Sequence, residues 1–285
     1  MESLIVNELS LDGQFDNEED FELNLQEGFR LFDLQYQLNS KLFFSSSIYN
    51  RQITNRTTIS QYLRISHSDE ARKFRFFLDK DFWDMNQMHK NDISYTCTYT
   101  DLTHGYSLAE ACERQSNIYS FRHTNYIEKI IEINKNSEKF LLKNFTNLNE
   151  FINDNFEAIV DILWNQLNKD FRKTFELLIK IFAIKFNFSL INAYNYSDNF
   201  QNQLLNVPTT IRNKAIEQIT KRLSFTREQA NSNQSLNDEP IRGFARNVNL
   251  RRFYITRNLG RIHYSINNES IFFEELNTQH DAGMP

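Results

Sequence analysis

The stretch "LRRFYITRNLGRIHYSI", residues 250–266, decides the fold of the C-terminal part of the chain because its polar and apolar residues alternate. Alternation with a period of two is typical of β-strands, and Leu259–Gly260 lies where the two strands of a hairpin would turn. A two-residue turn there would pair position 258 with 261, 256 with 263 and 254 with 265. This stretch therefore predicts a β-hairpin.

The predicted hairpin sorts its side chains onto two faces, because residues two apart in a strand point the same way. The polar face collects Arg252, Tyr254, Thr256, Arg261, His263 and Ser265. The apolar face collects Phe253, Ile255, Ile262, Tyr264 and Ile266. A three-residue turn would mix the two sets, so the pattern favours the two-residue register.

The polar face has the residue types needed to cleave RNA without a metal ion. Residues 241–268 contain six arginines and no Asp, Glu or Lys, although the formal net charge of the whole chain is −5. Arginine binds phosphate oxygens through a planar fork of donors, and imidazole exchanges protons near neutral pH. We therefore expect His263, or a nearby carboxylate, to take the 2′-hydroxyl proton while Arg252 and Arg261 stabilise the charge on the phosphate.

Other residues extend this hypothesis. Tyr254 would donate a hydrogen bond to a nucleotide or stack on it, and Glu275 or Glu274 would be the carboxylate partner of His263. Further arginines are expected to contact the nucleic-acid backbone: Arg242, Arg246, Arg251 and Arg257. The sequence leaves open whether more histidines join the site, namely His104, His123 and His280.

The same face also has a non-catalytic interpretation. A polar hairpin face is often simply solvated, and its arginines can pair with the acids of 16–22 or with Glu269, Glu274 and Glu275. The alternative hypothesis is therefore a non-catalytic interaction subunit that docks an ATPase or a sensor protein through the basic hairpin.

Composition and motifs narrow the other possibilities. With 40% hydrophobic residues and 26 Phe, the chain of 285 residues can bury a large core, and its 6 Gly and 3 Pro favour a helix-rich or mixed fold. The two cysteines, Cys97 and Cys112, lack the paired spacing of a zinc site. The sequence contains no Walker A, GxGxxG or GxSxG motif. We therefore predict no metal site and no cofactor.

The compartment is predicted from the apolar segments. The first residues lack the basic and apolar regions of a signal peptide, and the longest apolar stretch, 175–191, is interrupted by Lys180 and Lys185. We expect a soluble cytoplasmic protein with no membrane partner. The sequence leaves the oligomeric state open.

Four regions follow one another along the chain. Residues 1–140 mix strand and helix patterns, and 141–226 have helical periods. Residues 227–240 are polar without an apolar period, which indicates a linker or flexible loop, and 241–285 form the basic β-hairpin region. We expect an α+β (mixed α/β) fold in which N-terminal strands and the C-terminal hairpin build one central sheet beside a helical subregion.

Local signals place several elements of the first region. The opening "LIVNELSL" predicts a strand, and capping residues predict helices that begin behind Asp16, at Thr57 or Thr58, and at Ser68 or Asp69.

Three short blocks carry a resemblance to known proteins: "LIVNELSLDGQF" (4–15), "SLAEACERQSNIYSF" (107–121) and "RRFYITRNLGRIHYSI" (251–266). In this order they resemble a loose set of bacterial proteins that occur in phage-defence and toxin-like gene neighbourhoods, often beside ATPases. The resemblance implies a defence effector or its accessory subunit, with an ATPase as a protein partner.

Overall fold

The structure is a computed structural model that describes residues 3–79, 96–97, 111, 116–121, 130–135, 138–241, 249–256, 259–267 and 270–278. The chain divides into two compact units, Met1–Asn155 and Phe156–Pro285. Within the described residues it contains eight α-helices and two sheets, which confirms the expected α+β class. None of these helices is both long enough and apolar enough to cross a membrane.

The first unit contains a six-stranded sheet, whose strands are β1 (Leu4–Val6), β2 (Leu42–Phe43), β3 (Thr96–Cys97), β4 (Asn117–Tyr119), β5 (Ile130–Lys135) and β6 (Glu138–Phe145). The strand order is β2-β1-β4-β6-β5-β3. Strand β1 is parallel to β2 and β4, and β4 is parallel to β6, whereas β5 is antiparallel to both β6 and β3. All of β1 is buried, as expected for a parallel strand covered on both sides.

Three helices accompany this sheet: α1 (Glu18–Gln37), α2 (Ile59–Ile65) and α3 (Asp69–Leu78). Their N-caps are Asn17, Thr58 and Ser68, and each cap side chain accepts a backbone hydrogen bond from the third residue of its helix. The predicted helix starts are therefore confirmed to within one residue. The core of this unit is a cluster of aromatic rings: Phe21, Phe29, Phe32, Phe74, Phe77, Tyr119 and Phe121.

The second unit contains a five-stranded sheet, whose strands are β7 (Ala193–Tyr196), β8 (Glu239–Pro240), β9 (Leu250–Thr256), β10 (Gly260–Asn267) and β11 (Ser270–Asn277). The strand order is β7-β11-β10-β9-β8. Strand β7 is parallel to β11, and the other neighbours are antiparallel.

The remaining helices are α4 (Leu148–Gln166), α5 (Phe171–Lys185), α6 (Asp198–Asn206), α7 (Thr209–Leu223) and α8 (Arg227–Ser232). The backbone of α4 leaves the helical region at Asn155 (φ −113°, ψ 15°), which is the last residue of the first unit. Within 141–226, residues 141–145 belong to β6 and 193–196 form β7, and the other regular elements of this range are helices.

The expectation of one central sheet is wrong. The N-terminal strands and the C-terminal hairpin lie in two separate sheets, and β11 and β7 complete the second one. The alternation in residues 250–266 indicates that these residues form strands, but it does not specify which strands lie next to them.

The hairpin forms, but the predicted two-residue turn is wrong. Thr256 pairs with Gly260, and a β-bulge then shifts the register so that Tyr254 pairs with Arg261 and Arg252 with His263. The partner of Arg261 is thus four positions from the predicted one. Because four is an even number, the predicted sorting of side chains onto two faces still holds.

Glycine is required at the bulge. Gly260 has a φ of +118°, which residues with a side chain rarely adopt, and an added Cβ would lie 2.2 Å from the carbonyl oxygen of Asn277.

The segment 227–240 is not the predicted linker or loop. It begins with α8, where Thr226 and Gln229 form a capping box, and it continues with the fully buried Leu236. It ends in β8, where Glu239 pairs with Arg252 of β9. Although its composition is polar, this segment is ordered and leads the chain back to the sheet.

A buried cluster of charged groups holds this segment against the sheet. The carboxylate of Asp238, fully inaccessible, accepts a hydrogen bond from Arg251 Nε at 3.0 Å and forms an ion pair with Arg222, whose Nε lies 3.1 Å from Oδ2. Tyr264 Oη donates to the same carboxylate at 2.6 Å and accepts from Arg222 Nε at 2.9 Å. Burial, the largest effect, and the neighbouring Asp238 raise the pKa of the Tyr264 phenol, so this group remains a donor.

Two further acceptors complete the cluster. Arg251 also donates to the side chain of Asn231 on α8, and Arg222 Nη1 donates to the carbonyl oxygen of Phe225 at 3.0 Å. Two buried guanidiniums thus share one carboxylate, and neutral oxygens satisfy part of their remaining hydrogen-bonding capacity.

We predict that Asp238→Asn strongly destabilises the second unit. Removing the shared carboxylate charge leaves two guanidiniums buried without a counter-charge, a change that typically costs about 3–5 kcal/mol. Urea unfolding followed by circular dichroism measures the loss. Glu239→Gln, at the next position, is the control, and its more exposed ion pair predicts a loss of about 1 kcal/mol or less. Equal losses for the two variants would contradict the role given to Asp238.

We predict that Gly260→Ala destabilises the fold more than Gly13→Ala. Both glycines have positive φ, but Gly13 (φ +66°) has its nearest atom, Gln52 Oε1, 3.9 Å from the added Cβ. The Gly260 variant adds an overlap with β11 to a backbone strain of about 1–3 kcal/mol. Thermal unfolding of the two variants measures the difference, and a smaller shift for Gly260→Ala would refute the steric argument.

Candidate active site

The polar face of the second sheet brings the predicted catalytic residues together. Residues paired across antiparallel strands lie on the same face, so Arg252 and Tyr254 of β9 lie beside His263 and Arg261 of β10. On the other side of β10, His263 pairs with Glu275 of β11. We call these five residues the catalytic face.

His263 and Glu275 form a hydrogen-bonded dyad. The imidazole Nδ1 donates to Glu275 Oε1 at 2.7 Å, and only 8% of the His263 side chain is accessible. A second bulge, between His263 and Tyr264, makes Glu274 an extra residue of β11 and places Glu275 opposite the histidine. The carboxylate therefore fixes the orientation of the ring, and within the described residues Nε2 has no hydrogen-bond partner.

The protonation of His263 follows from its surroundings. Burial is the largest effect and lowers its pKa below the ordinary value of 6.5, while the Glu275 carboxylate acts in the opposite direction. The guanidiniums of Arg252 and Arg261 lower the pKa further. The imidazole is therefore neutral at neutral pH, with a lone pair on Nε2 that can accept a proton.

Arg261 and Tyr254 form a second pair. Arg261 Nη2 donates to Tyr254 Oη at 2.8 Å, and the guanidinium carbon lies 4.7 Å from the centre of the tyrosine ring. The Nε of Arg261 is buried and has no hydrogen-bond partner among the described residues. This pair thus holds a guanidinium and a phenolic hydroxyl on the same face as the dyad.

Arg252 already has a carboxylate partner. Its Nε donates to Glu239 Oε1 at 2.8 Å, and its Nη2 lies 2.6 Å from the same oxygen in an ion pair. The side chains are 27% and 40% accessible, so water screens this ion pair. An oxyanion that binds Arg252 would have to displace Glu239.

Adjacent residues of β9, and the two acids that they bind, lie on opposite faces of the sheet. Arg251 points into the core, where it binds Asp238, while its neighbour Arg252 binds Glu239 on the catalytic face. Arg251 is only 4% accessible and makes no contact with the catalytic face, so we omit it from the proposed nucleic-acid contacts. The other predicted contacts and the three additional histidines lie outside the described residues: Arg242, Arg246, Arg257, His104, His123 and His280.

A cleft of about 690 Å³ adjoins the dyad. His263 and Glu275 lie in its wall, together with Ser197, Asn199, Ile241, Asn249, Leu250, Ser265, Asn267 and Glu274. Ser197 is the N-cap of α6, and its hydroxyl donates to the carbonyl oxygen of Glu274. The sequence reasoning missed the contribution of α6 and of Glu239, although the "SDN" sequence at 197–199 is a recognisable helix start.

The described residues contain no cluster of three or more His, Cys, Asp or Glu side chains placed to hold a metal ion.

No protein-family model and no curated protein matches this chain. Solved structures with partial likeness include a chain of the archaeal RelE–RelB complex from Pyrococcus horikoshii OT3, with 14% identity over 32% of this chain and 98% of that chain and a TM-score of 0.26. A chain of the RelB–RelE antitoxin–toxin complex from Methanococcus jannaschii is 23% identical over 29% of this chain and 87% of that one, with a TM-score of 0.23. A copper-bound mutant toxin from Helicobacter pylori is 13% identical over 33% of this chain and all of that one (100%), with a TM-score of 0.23. At these TM-scores the likeness carries no inference about activity or partners.

We predict that the pKa of His263 lies below 6.5 and falls further in Glu275→Gln. The variant removes the carboxylate that favours the imidazolium, while the burial and the two guanidiniums that disfavour it remain. A pH titration of the His263 ring protons by NMR measures both values. Glu274→Gln is the control, because its carboxylate bonds to Ser265 rather than to the imidazole. A rise of the pKa in Glu275→Gln would disprove the dyad.

Proposed function

We propose that the protein cleaves RNA by a metal-independent transesterification on the catalytic face. The observation that carries this proposal is the dyad: a buried imidazole whose Nδ1–H is held by Glu275 at 2.7 Å, beside two guanidiniums. General-base chemistry requires a neutral, oriented histidine, and phosphate chemistry requires cations next to it.

In the proposed reaction, His263 Nε2 takes the proton of the ribose 2′-hydroxyl. The 2′-oxygen attacks the phosphorus, the bond from phosphorus to the 5′-oxygen breaks, and a 2′,3′-cyclic phosphate forms. Glu275 stabilises the imidazolium that arises, as a buried carboxylate partner of histidine does in other general-base dyads.

The leaving 5′-oxygen needs a proton, and in the proposed mechanism Tyr254 supplies it. Its oxygen accepts from Arg261 Nη2, so its own hydrogen is available for donation. The guanidinium of Arg261 then stabilises the phenolate that remains.

Arg252 would join the site by exchanging Glu239 for a phosphate oxygen. A partly exposed ion pair contributes about 0–1 kcal/mol, so replacing Glu239 with a phosphate oxygen costs little free energy. Glu239 would then limit how tightly phosphate binds before the reaction.

A second candidate function, docking of a partner protein, is favoured by one specific observation. Each described arginine of the basic stretch already has an intramolecular partner: Arg251 with Asp238, Arg252 with Glu239 and Arg261 with Tyr254. Arg252 and Arg261, the two of these arginines on the catalytic face, are held in fixed orientations, which suits an interaction subunit that binds an acidic surface of an ATPase or sensor.

The wider role that we propose is that of a toxin-like effector, or its accessory subunit, in an antiviral defence system. The sequence blocks that resemble defence-associated proteins support this proposal. The same proposal includes a protein partner that controls the effector, and an ATPase is one such partner.

The central prediction is that the purified protein degrades RNA in the presence of EDTA and that His263→Ala lowers the rate by about 10²–10⁴-fold. The double variant Arg252→Ala/Arg261→Ala should lose RNA affinity and show a weaker salt dependence, because each phosphate contact releases counterions. Gel analysis of a defined RNA, with assignment of the 2′,3′-cyclic phosphate end, measures the reaction. Arg227→Ala, an exposed arginine on α8, is the matched control and should behave like the wild type.

Three outcomes separate the hypotheses. Intact RNA under all conditions, combined with loss of partner binding in the double arginine variant, would establish docking instead. RNA cleavage that EDTA abolishes would overturn the metal-independent mechanism. DNA cleavage that depends on a metal would overturn both assignments.

A further inference from the structure

We propose that the cleft beside the dyad is a guanine-binding subsite and that Glu274 determines its specificity. The inference rests on the proposed function in one respect: the bound guanosine is the nucleotide next to the scissile phosphate. Its binding chemistry, however, is independent of catalysis.

Charge divides along β10 on the two sides of His263. Arg261 lies two residues before the histidine and Ser265 two residues after it, about 7 Å away in each direction on the same face. Arg261 lies on the side nearer the turn and Arg252 lies directly across from His263, whereas the cleft opens on the side of Ser265 and Asn267. The arginines attract a phosphate, so the base of the neighbouring nucleotide would lie in the cleft.

The cleft wall suits a nucleobase rather than a phosphate. Its described residues include the amides of Asn199, Asn249 and Asn267, the hydroxyls of Ser197 and Ser265, and the carboxylates of Glu274 and Glu275, and none of the described lining residues is a lysine or an arginine. Ile241 and Leu250 provide an aliphatic surface for the flat face of a base. The volume of about 690 Å³ falls within the range of roughly 300–1,000 Å³ that is typical of small-molecule sites.

Glu274 is held in place with one oxygen free. Ser265 Oγ donates to its Oε1 at 2.9 Å, and the Ser197 hydroxyl donates to its backbone carbonyl. Within the described residues, Oε2 has no hydrogen-bond partner. As the extra residue of the β11 bulge, Glu274 is aimed beside Glu275 without pairing to the histidine.

A carboxylate with a free edge selects guanine among the four bases. The Watson–Crick edge of guanine presents two adjacent donors, N1–H and N2–H, which match the two oxygens of a carboxylate. Cytosine and adenine place a ring-nitrogen acceptor beside their single amino group, and uracil flanks N3–H with two carbonyl oxygens. Each of these bases would hold a lone pair against the carboxylate and lose affinity.

The test is the binding of nucleoside 3′-monophosphates, measured by isothermal titration calorimetry. We expect guanosine 3′-monophosphate to bind roughly tenfold or more tightly than the inosine, adenosine, cytidine or uridine compounds. Inosine lacks only the N2 amino group, so it isolates one of the two hydrogen bonds. Glu274→Gln should remove the preference for guanine, because its amide offers only one acceptor. Glu217→Gln, which changes a carboxylate on α7 that pairs with Lys214, should leave it intact.

Cleavage of an RNA that contains every dinucleotide step distinguishes this inference from the proposed function. If the wild type cleaves next to guanosine and Glu274→Gln cleaves without base preference, both the guanine subsite and the ribonuclease proposal are supported. Cleavage without base preference, together with equal binding of all five nucleotides, overturns the guanine subsite and leaves the ribonuclease proposal standing. Guanine-selective binding that depends on Glu274 in a protein that cleaves no RNA supports the subsite and overturns the ribonuclease proposal. A protein that shows no preference among the nucleotides and cleaves no RNA would overturn both proposals.

Discussion

The pairing of one buried carboxylate with two buried guanidiniums is the interaction on which the second unit depends. Arg222 at the end of α7 and Arg251 of β9 both lie in the core, and each needs an anionic partner to remain charged there. Asp238 supplies that charge to both. The chain between α7 and β9 must therefore return to the sheet, and a polar segment with few apolar residues becomes ordered.

This constraint also shapes the catalytic face. Glu239 follows Asp238 directly, and neighbouring residues of an extended chain point to opposite faces. When Asp238 enters the core to bind Arg251, Glu239 is delivered to the other face, where it binds Arg252. The adjacent residues Asp238 and Glu239 thus form one ion pair on each face of the sheet, with Arg251 and Arg252 respectively. The core pair holds the strand, and the exposed pair sets the electrostatic state of the candidate phosphate site.

Two irregularities in the sheet determine how the remaining groups meet. The bulge at Gly260 restores the alternation that its turn would otherwise break, so Arg261 and His263 stay on the face of Arg252 and Tyr254. The bulge on β11 gives Glu275 to the histidine and directs Glu274 to Ser265. Bulges near functional sites re-aim side chains in this way. Here they assign different partners to two adjacent glutamates.

Much of the local structure could be read from residues near each other in the chain. Helix caps at Thr58 and Ser68 predicted their helices, and the period of two in 250–266 predicted both strands and the division of their side chains. These features depend on backbone sterics and on hydrogen bonds within a few residues, which the local sequence encodes. Only the tertiary structure decided the hairpin register, the separation into two sheets, the order in 227–240, and the partners of His263, Arg251 and Arg252. Those features depend on groups that are far apart in the chain, such as Ser197 and Glu274, separated by 77 residues. No local pattern specifies such contacts, because they form only when burial and charge are satisfied across the whole unit.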